Sequence, residues 1–194
     1  MSDLPTKLNV GCGSDIRAGW LNIDAADDPG IDLRVDLADC RANPLPLPDD
    51  QFEELAMIHV LEHIGDPLGL LEDLHRVAAP EATLHIRVPF AGHDDAWVDP
   101  THVRAYVPQS FQYFGQPKYY NFDYGYAGDW DVASCSLIVP RAAAEFFGED
   151  RLRQAIHFYR NVAKELDITL VAKKPVRERS RANLKPVNFD IVIR

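Results

Sequence analysis

Apolar positions along this chain come in brief runs broken by turn residues. Lys7–Gly11, Leu21–Asp24, Leu33–Leu37 and Glu54–His59 are each too short for a helix and read as strands. From Pro67 to Ala79 the pattern changes. Leu70, Leu71, Leu74 and Val77 fall on one helical stripe, with Glu72, Asp73 and Arg76 on the outer side. Glu81–Pro89 returns to strand. Its imperfect alternation suits a strand covered on both faces. Further on, Trp130–Val139, Val162–Lys173 and Asn188–Ile193 read as strands, and Arg141–Arg160 as a helical region broken at Gly148. Pro44, Pro46 and Pro48 exclude a helix between Asn43 and Asp50, because each removes a donor and biases its neighbour to extended backbone.

This order predicts an α/β protein with a mainly parallel sheet and an antiparallel C-terminal addition. The chain, 1–194, reads as a single domain. Seven residues separate Gly13 from Leu21. A parallel crossover usually takes a dozen or more. The first helix must therefore be one or two turns at most, for which Asp15–Ala18 has room, or simply a loop. Residues 90–128 differ in kind. They hold His93, His102 and many aromatics from Tyr106 to Tyr126, with a proline-led helical turn at Pro108–Phe114. A segment this long reads as a lid or substrate insertion, its aromatics serving in core or lid packing.

Composition narrows the partners. Thirty acidic against twenty basic residues give a net charge of −10, which disfavours tight binding to bare nucleic acid. The basic stretch Arg177, Arg179, Arg181 and Lys185 reads as a solvated loop. Cys12, Cys40 and Cys135 are scattered and odd in number, with no disulfide framework and no metal spacing, so no metal ligand is assigned. The N-terminal stretch lacks a leader pattern, and no apolar run reaches the roughly 20 residues that span a bilayer. The expected location is the cytoplasm.

The densest chemical signal is Leu8-Asn9-Val10-Gly11-Cys12-Gly13-Ser14, followed by Leu21-Asn22-Ile23-Asp24. A strand running into glycines lets backbone approach a ligand closely. A carboxylate closing the next strand has two acceptor oxygens to match a ribose diol. Asp36 closes the third run in the same way. Cys12 reads as a small buried residue, since nothing near it in sequence lowers its pKa.

These stretches, with Val35-Asp36-Leu37, Leu45–Phe52, Arg76-Val77 and above all His59-Val60-Leu61-Glu62-His63-Ile64, resemble the Rossmann-like S-adenosylmethionine-dependent methyltransferases. The likeness is to small bacterial members with a shortened first helix, and covers roughly residues 7–114. It implies a three-layer Rossmann-like sandwich and S-adenosylmethionine as cofactor. By the same resemblance Asn9, Gly11, Cys12 and Gly13 would lie by its methionine part and Asp24 on the ribose. Asp36 and Leu37 would flank the adenine, and His59 would lie near the sulfonium. Asn9 stands where the family has an acid, and Asp15 where it has a third glycine.

The expected reaction is methyl transfer to a small molecule or glycan, at oxygen. A hydroxyl acceptor must lose a proton, and histidine suits that task at neutral pH. His63 and His102 are the candidates. His75, His85 and His157 read as structural or solvated. Three other readings stay open. A domain that binds the adenosyl cofactor without catalysis, or has lost it, and acts as a partner or regulator would fit the altered Asn9 and Asp15. A zinc hydrolase would use His59, Glu62 and His63 on one helix. A nicotinamide dehydrogenase would want a third glycine opening a long helix, and the chain has neither.

Overall fold

The brief apolar runs become strands of one sheet. The computed structural model describes residues 4–194; residues 1–3, part of the stretch read above for a leader, lie outside the described residues. The strands are β1 (Lys7–Val10), β2 (Leu21–Asp24), β3 (Leu33–Arg34), β4 (Phe52–Ile58), β5 (Ala78–Pro89), β6 (Trp130–Val139), β7 (Glu165–Ala172) and β8 (Asp190–Ile193). Their order is β3-β2-β1-β4-β5-β7-β6-β8. β7 runs antiparallel to both β5 and β6, and every other pairing is parallel. Helices α1 (Pro67–Val77), α2 (Asp95–Val98), α3 (Arg141–Phe147) and α4 (Leu152–Phe158) flank it. This is the expected Rossmann-like α/β architecture.

The β1–β2 crossover contains no helix. Side chains replace the bonds a helix would have made. Asn9 Nδ2 donates to Asp15 O (2.6 Å) and Asn22 Oδ1 (3.0 Å), and Asn22 Oδ1 also accepts from Arg17 N (2.9 Å). Both asparagines are buried, so the short loop is held from beneath with its backbone groups paired.

Three local expectations change. The third strand stops at Arg34, short of Leu37. Asp36 Oδ1 accepts from Ala38 N (2.9 Å) and opens a tight turn, Leu37–Asp39, instead. β5 starts at Ala78, directly after α1, with Glu81 at φ +61° inside it. Asp73, expected on the solvent face of α1, is buried. It accepts from Leu45 N (2.6 Å) and Arg76 Nε (2.7 Å), while Arg76 donates to the Leu45 and Leu47 carbonyls. The proline-rich segment lacks donors for a strand ladder, so α1 supplies polar partners from the side.

The basic stretch is also corrected. Arg177 grips Asp129, which is fully buried, and reaches Asp131 at 2.6 Å. Arg179 bonds Gln116 and Asp123. Both arginines tie the C-terminal segment to 116–131 instead of lying free in solvent. In the 90–128 segment Tyr106, Phe111, Phe114, Tyr119 and Tyr126 join the core, while Tyr124 is exposed. His75 is buried, and burial pushes its pKa down. His85 pairs with Asp167 at 2.7 Å across β5 and β7. Among the described residues no helix is long and apolar enough to cross a membrane.

Candidate active site

The chain goes from β1 to β2 on one side and from β4 to β5 on the other, so the strand order reverses between the parallel strands β1 and β4. Open α/β sheets take ligands at the carboxyl ends of strands flanking such a reversal. Gly11 follows β1 there, at φ +64°. A Cβ on Gly11 would lie 2.5 Å from Val60 Cγ2, just past the end of β4. Glycine at this position therefore serves close packing of the two strand ends.

Gly13 and Asp24 face each other directly. Gly13 N donates to Asp24 Oδ2 (2.8 Å), and Ala26 N donates to Asp24 Oδ1 (2.9 Å). Gly13 has φ +47°, and a Cβ there would meet nothing within 4 Å, so the backbone faces open space. A carboxylate offers about four lone-pair positions, and two remain for a ligand. Val35 N donates to Asp24 O (2.8 Å), which brings Asp36 to the same end of the sheet, exposed.

The other expected cofactor residues lie deeper. Asn9 is buried beneath the loop with its amide N–H groups engaged. Leu37 turns into the core, leaving Asp36 alone at the surface of that turn. Cys12 is buried, and desolvation, then the nearby Asp24 carboxylate, push its thiol pKa up. It is no activated nucleophile.

His59 follows β4 at φ +55°, unusual for a non-glycine residue. Its Nδ1 lies 3.3 Å from Glu62 Oε1 and its Nε2 3.1 Å from Glu165 Oε1. The Glu62 bond, with both carboxylate charges, raises the His59 pKa. Leu61–His63 is a single tight turn, so His59, Glu62 and His63 do not share a helix. The helical zinc-hydrolase arrangement is absent. Glu62 and Glu165 were not singled out in sequence as partners of His59. Only the carboxylate in Leu61-Glu62-His63 gave a signal, and the fold alone brings Glu165 there.

His63 and His102 do meet. Their rings pack edge to face with centroids 4.7 Å apart. His63 Nδ1 faces Thr101 Oγ1 (3.0 Å) and Thr101 O (3.3 Å). Asp99 Oδ1 accepts from Thr101 N and Oγ1, setting the turn that presents His102. A cavity of about 370 Å³ is lined by Gly65, Asp66, Arg104, Tyr106, Tyr113 and Tyr124 among others, with neither histidine in its wall.

Residues 8–86 match the family model described as a methyltransferase domain. No curated protein matches the chain. Among solved structures, the chain is similar to a SAM-dependent methyltransferase from Archaeoglobus fulgidus, at 14% identity over 85% of each chain, with a TM-score of 0.57. A second, from Mesorhizobium loti, is 14% identical over 88% of this chain and 93% of that one, with a TM-score of 0.54. A third, from Aquifex aeolicus, is 15% identical over 88% and 85%, with a TM-score of 0.52. At these identities the structures speak to fold, and the family model speaks to the strand-and-turn region that builds the cradle. The methyltransferase-domain match thus spans residues 8–86, less than half of the chain, and the whole chain shares the Rossmann-like fold of the solved S-adenosylmethionine-dependent methyltransferases.

Proposed function

We propose that this chain transfers a methyl group from S-adenosylmethionine to a hydroxyl of a small molecule or glycan. The observation that carries the reading is the Gly13–Asp24 cradle at the reversal of strand order. An open backbone face, a carboxylate with free lone pairs and a second exposed carboxylate, Asp36, suit an adenosyl group. When bound, that cofactor supplies an electrophilic methyl on a sulfonium.

The protein's share is alignment and proton removal. Asp24 holds the ribose. Gly11, Gly13, Cys12 and Asn9 shape the floor under the methionine part, and Asp36 and Leu37 bound the adenine. His59 stands over the end of β4. His102 and His63 are the groups that handle the acceptor's proton. The acceptor hydroxyl would take the methyl, with the bonding pair left to the cofactor's sulfur. The hydroxyl proton passes to a free imidazole nitrogen.

The net charge of −10 supports a small acceptor over nucleic acid. The cavity between Gly65–Leu68 and the 104–124 segment offers Arg104, Ser110, Tyr113 and Tyr124, a polar and aromatic lining that suits a sugar-like acceptor. Three free buried cysteines support a reducing, cytoplasmic setting.

Calorimetry with S-adenosylhomocysteine, then methyl transfer from labelled cofactor to a panel of hydroxylated small molecules and glycans, tests the proposal. Labelled product at oxygen supports it. Tight binding with no transfer to any acceptor favours the non-catalytic cofactor-binding reading, and no binding overturns both.

A further inference from the structure

The turn Leu61–His63 and the loop 99–106 are stitched together. Val103 N and Arg104 N both donate to Glu62 O (2.9 and 3.3 Å), and Tyr106 Oη donates to Leu61 O (3.3 Å). The stitching gathers Glu62, His63 and His102. Each offers one donor atom, and these atoms all lie within 4.8 Å of one another.

Two atoms of this cluster have no hydrogen-bond partner: Glu62 Oε2 and His102 Nδ1. Both side chains are more than nine-tenths buried, at 2% exposed for Glu62 and 9% for His102. An orphaned buried polar atom costs about 1–3 kcal/mol, and native proteins keep few of them. One atom of each side chain faces a polar group behind the cluster. Glu62 Oε1 meets His59 Nδ1, His63 Nδ1 faces the Thr101 carbonyl, and His102 Nε2 points at Asp99 Oδ2, 3.9 Å away. A proton on each of those outward nitrogens leaves a lone pair on His63 Nε2 and His102 Nδ1. A carbonyl or carboxylate behind each imidazole is how proteins orient histidines that hold a metal.

We propose that Glu62, His63 and His102 bind one divalent transition-metal cation of the zinc class. Two imidazoles and one carboxylate suit zinc, cobalt, iron or manganese, whereas magnesium and calcium favour all-oxygen shells. With bonds of about 2.0–2.2 Å, tetrahedral donors sit about 3.4 Å apart, so loading draws the three inward by roughly 1 Å. His63 is exposed and free to make that move. His59 is no ligand here. It is a positioning residue that holds Glu62 Oε1 and turns Oε2 toward the centre.

Three protein ligands leave a coordination position open. Its role rests on the methyl-transfer reading, whereas cation binding does not. In the bare protein the two imidazole lone pairs take a proton. In the loaded protein they hold the cation, which instead lowers the pKa of an acceptor hydroxyl.

The test is titration of chelator-stripped full-length protein with Zn²⁺ alone, followed by Co²⁺ for its visible absorption bands. One equivalent binding at micromolar strength or tighter is expected, with tenfold or greater weakening in His102→Ala, His63→Ala and Glu62→Gln. His157→Asn, on α4, should match wild type. If Glu62→Gln does not fold, the exposed His63→Ala carries the test. Absence of a one-equivalent event, or one unchanged in His63→Ala and His102→Ala, overturns the proposal. Binding of S-adenosylhomocysteine to the stripped protein, measured separately, shows whether the methyl-transfer reading fails independently of the cation site.

Discussion

Gly13 donates its backbone N–H to Asp24 Oδ2 at 2.8 Å, tying the turn after β1 to the end of β2. The bond explains how a crossover without a helix keeps a fixed shape at the strand ends. In the proposed function Asp24 would therefore have two tasks, one toward the turn and one toward a ligand.

Replacing Asp24 should separate those tasks. Asp24→Ala removes both, and S-adenosylhomocysteine binding should weaken by about 1–3 kcal/mol, roughly fivefold to 150-fold. Asp24→Asn keeps one acceptor oxygen for the turn and should lie between. Calorimetry reads both, and unchanged affinity in Asp24→Ala would sink the ribose assignment.

The two glycines of the turn should respond differently to alanine. Gly11→Ala puts a Cβ against Val60 in a left-handed conformation and should cost about 2–4 kcal/mol. Gly13→Ala meets open space and bears only the conformational cost, about 1 kcal/mol. Thermal melts of both variants check this. Val60→Ala in the Gly11→Ala background should recover part of the loss.

Arg177→Ala strands the fully buried Asp129 carboxylate. Removing one partner of such a pair costs about 3–5 kcal/mol, which lowers Tm on the order of 10 °C. Arg177→Lys restores charge without the two-pronged geometry and should recover only part. A melt within a degree of wild type would contradict the pairing.

His59 gives a pH signature. Its folded pKa is raised by Glu62 and Glu165, so its contribution is fully present below the unfolded value of about 6.5 and is lost as pH rises through the folded value. Asn tolerates the positive φ, so His59→Asn is the suitable variant. Urea unfolding at pH 5.5 and 9 should show a larger wild-type advantage at pH 5.5. Buried His75, whose lowered pKa favours stability at higher pH, is common to both proteins and cancels.

His102→Ala should leave cofactor affinity within about twofold and cut turnover by about 100-fold or more. Unaffected turnover with an identified acceptor would remove His102 from the chemistry.

Much of the strand plan was legible because its signals are local. Leu70, Leu71, Leu74 and Val77 are fully buried along the predicted stripe of α1, and the strand-ending Asp24 stands where it was read. That the first helix is cut to a turn or two, or to a loop, followed from counting residues before Leu21; the structure makes it a loop. Other features had no local signal. Asp36 looked like the end of a strand, yet its side chain captured Ala38 N and ended β3 early. Arg177 looked like a solvated charge because its partner, Asp129, lies far away in the chain.

The order of strands, the glycine turn and the acid after it were determined by the sequence itself, because backbone conformation and hydrophobic period act over a few residues. Which side chains share a site was decided only by the tertiary structure. Glu62 and His102 stand together because loop 99–106 folds back onto the turn after β4 and its amides satisfy a carbonyl there. Such pairings form only when the closure of a long loop is repaid by bonds at its far end, and no pattern along the chain encodes that return.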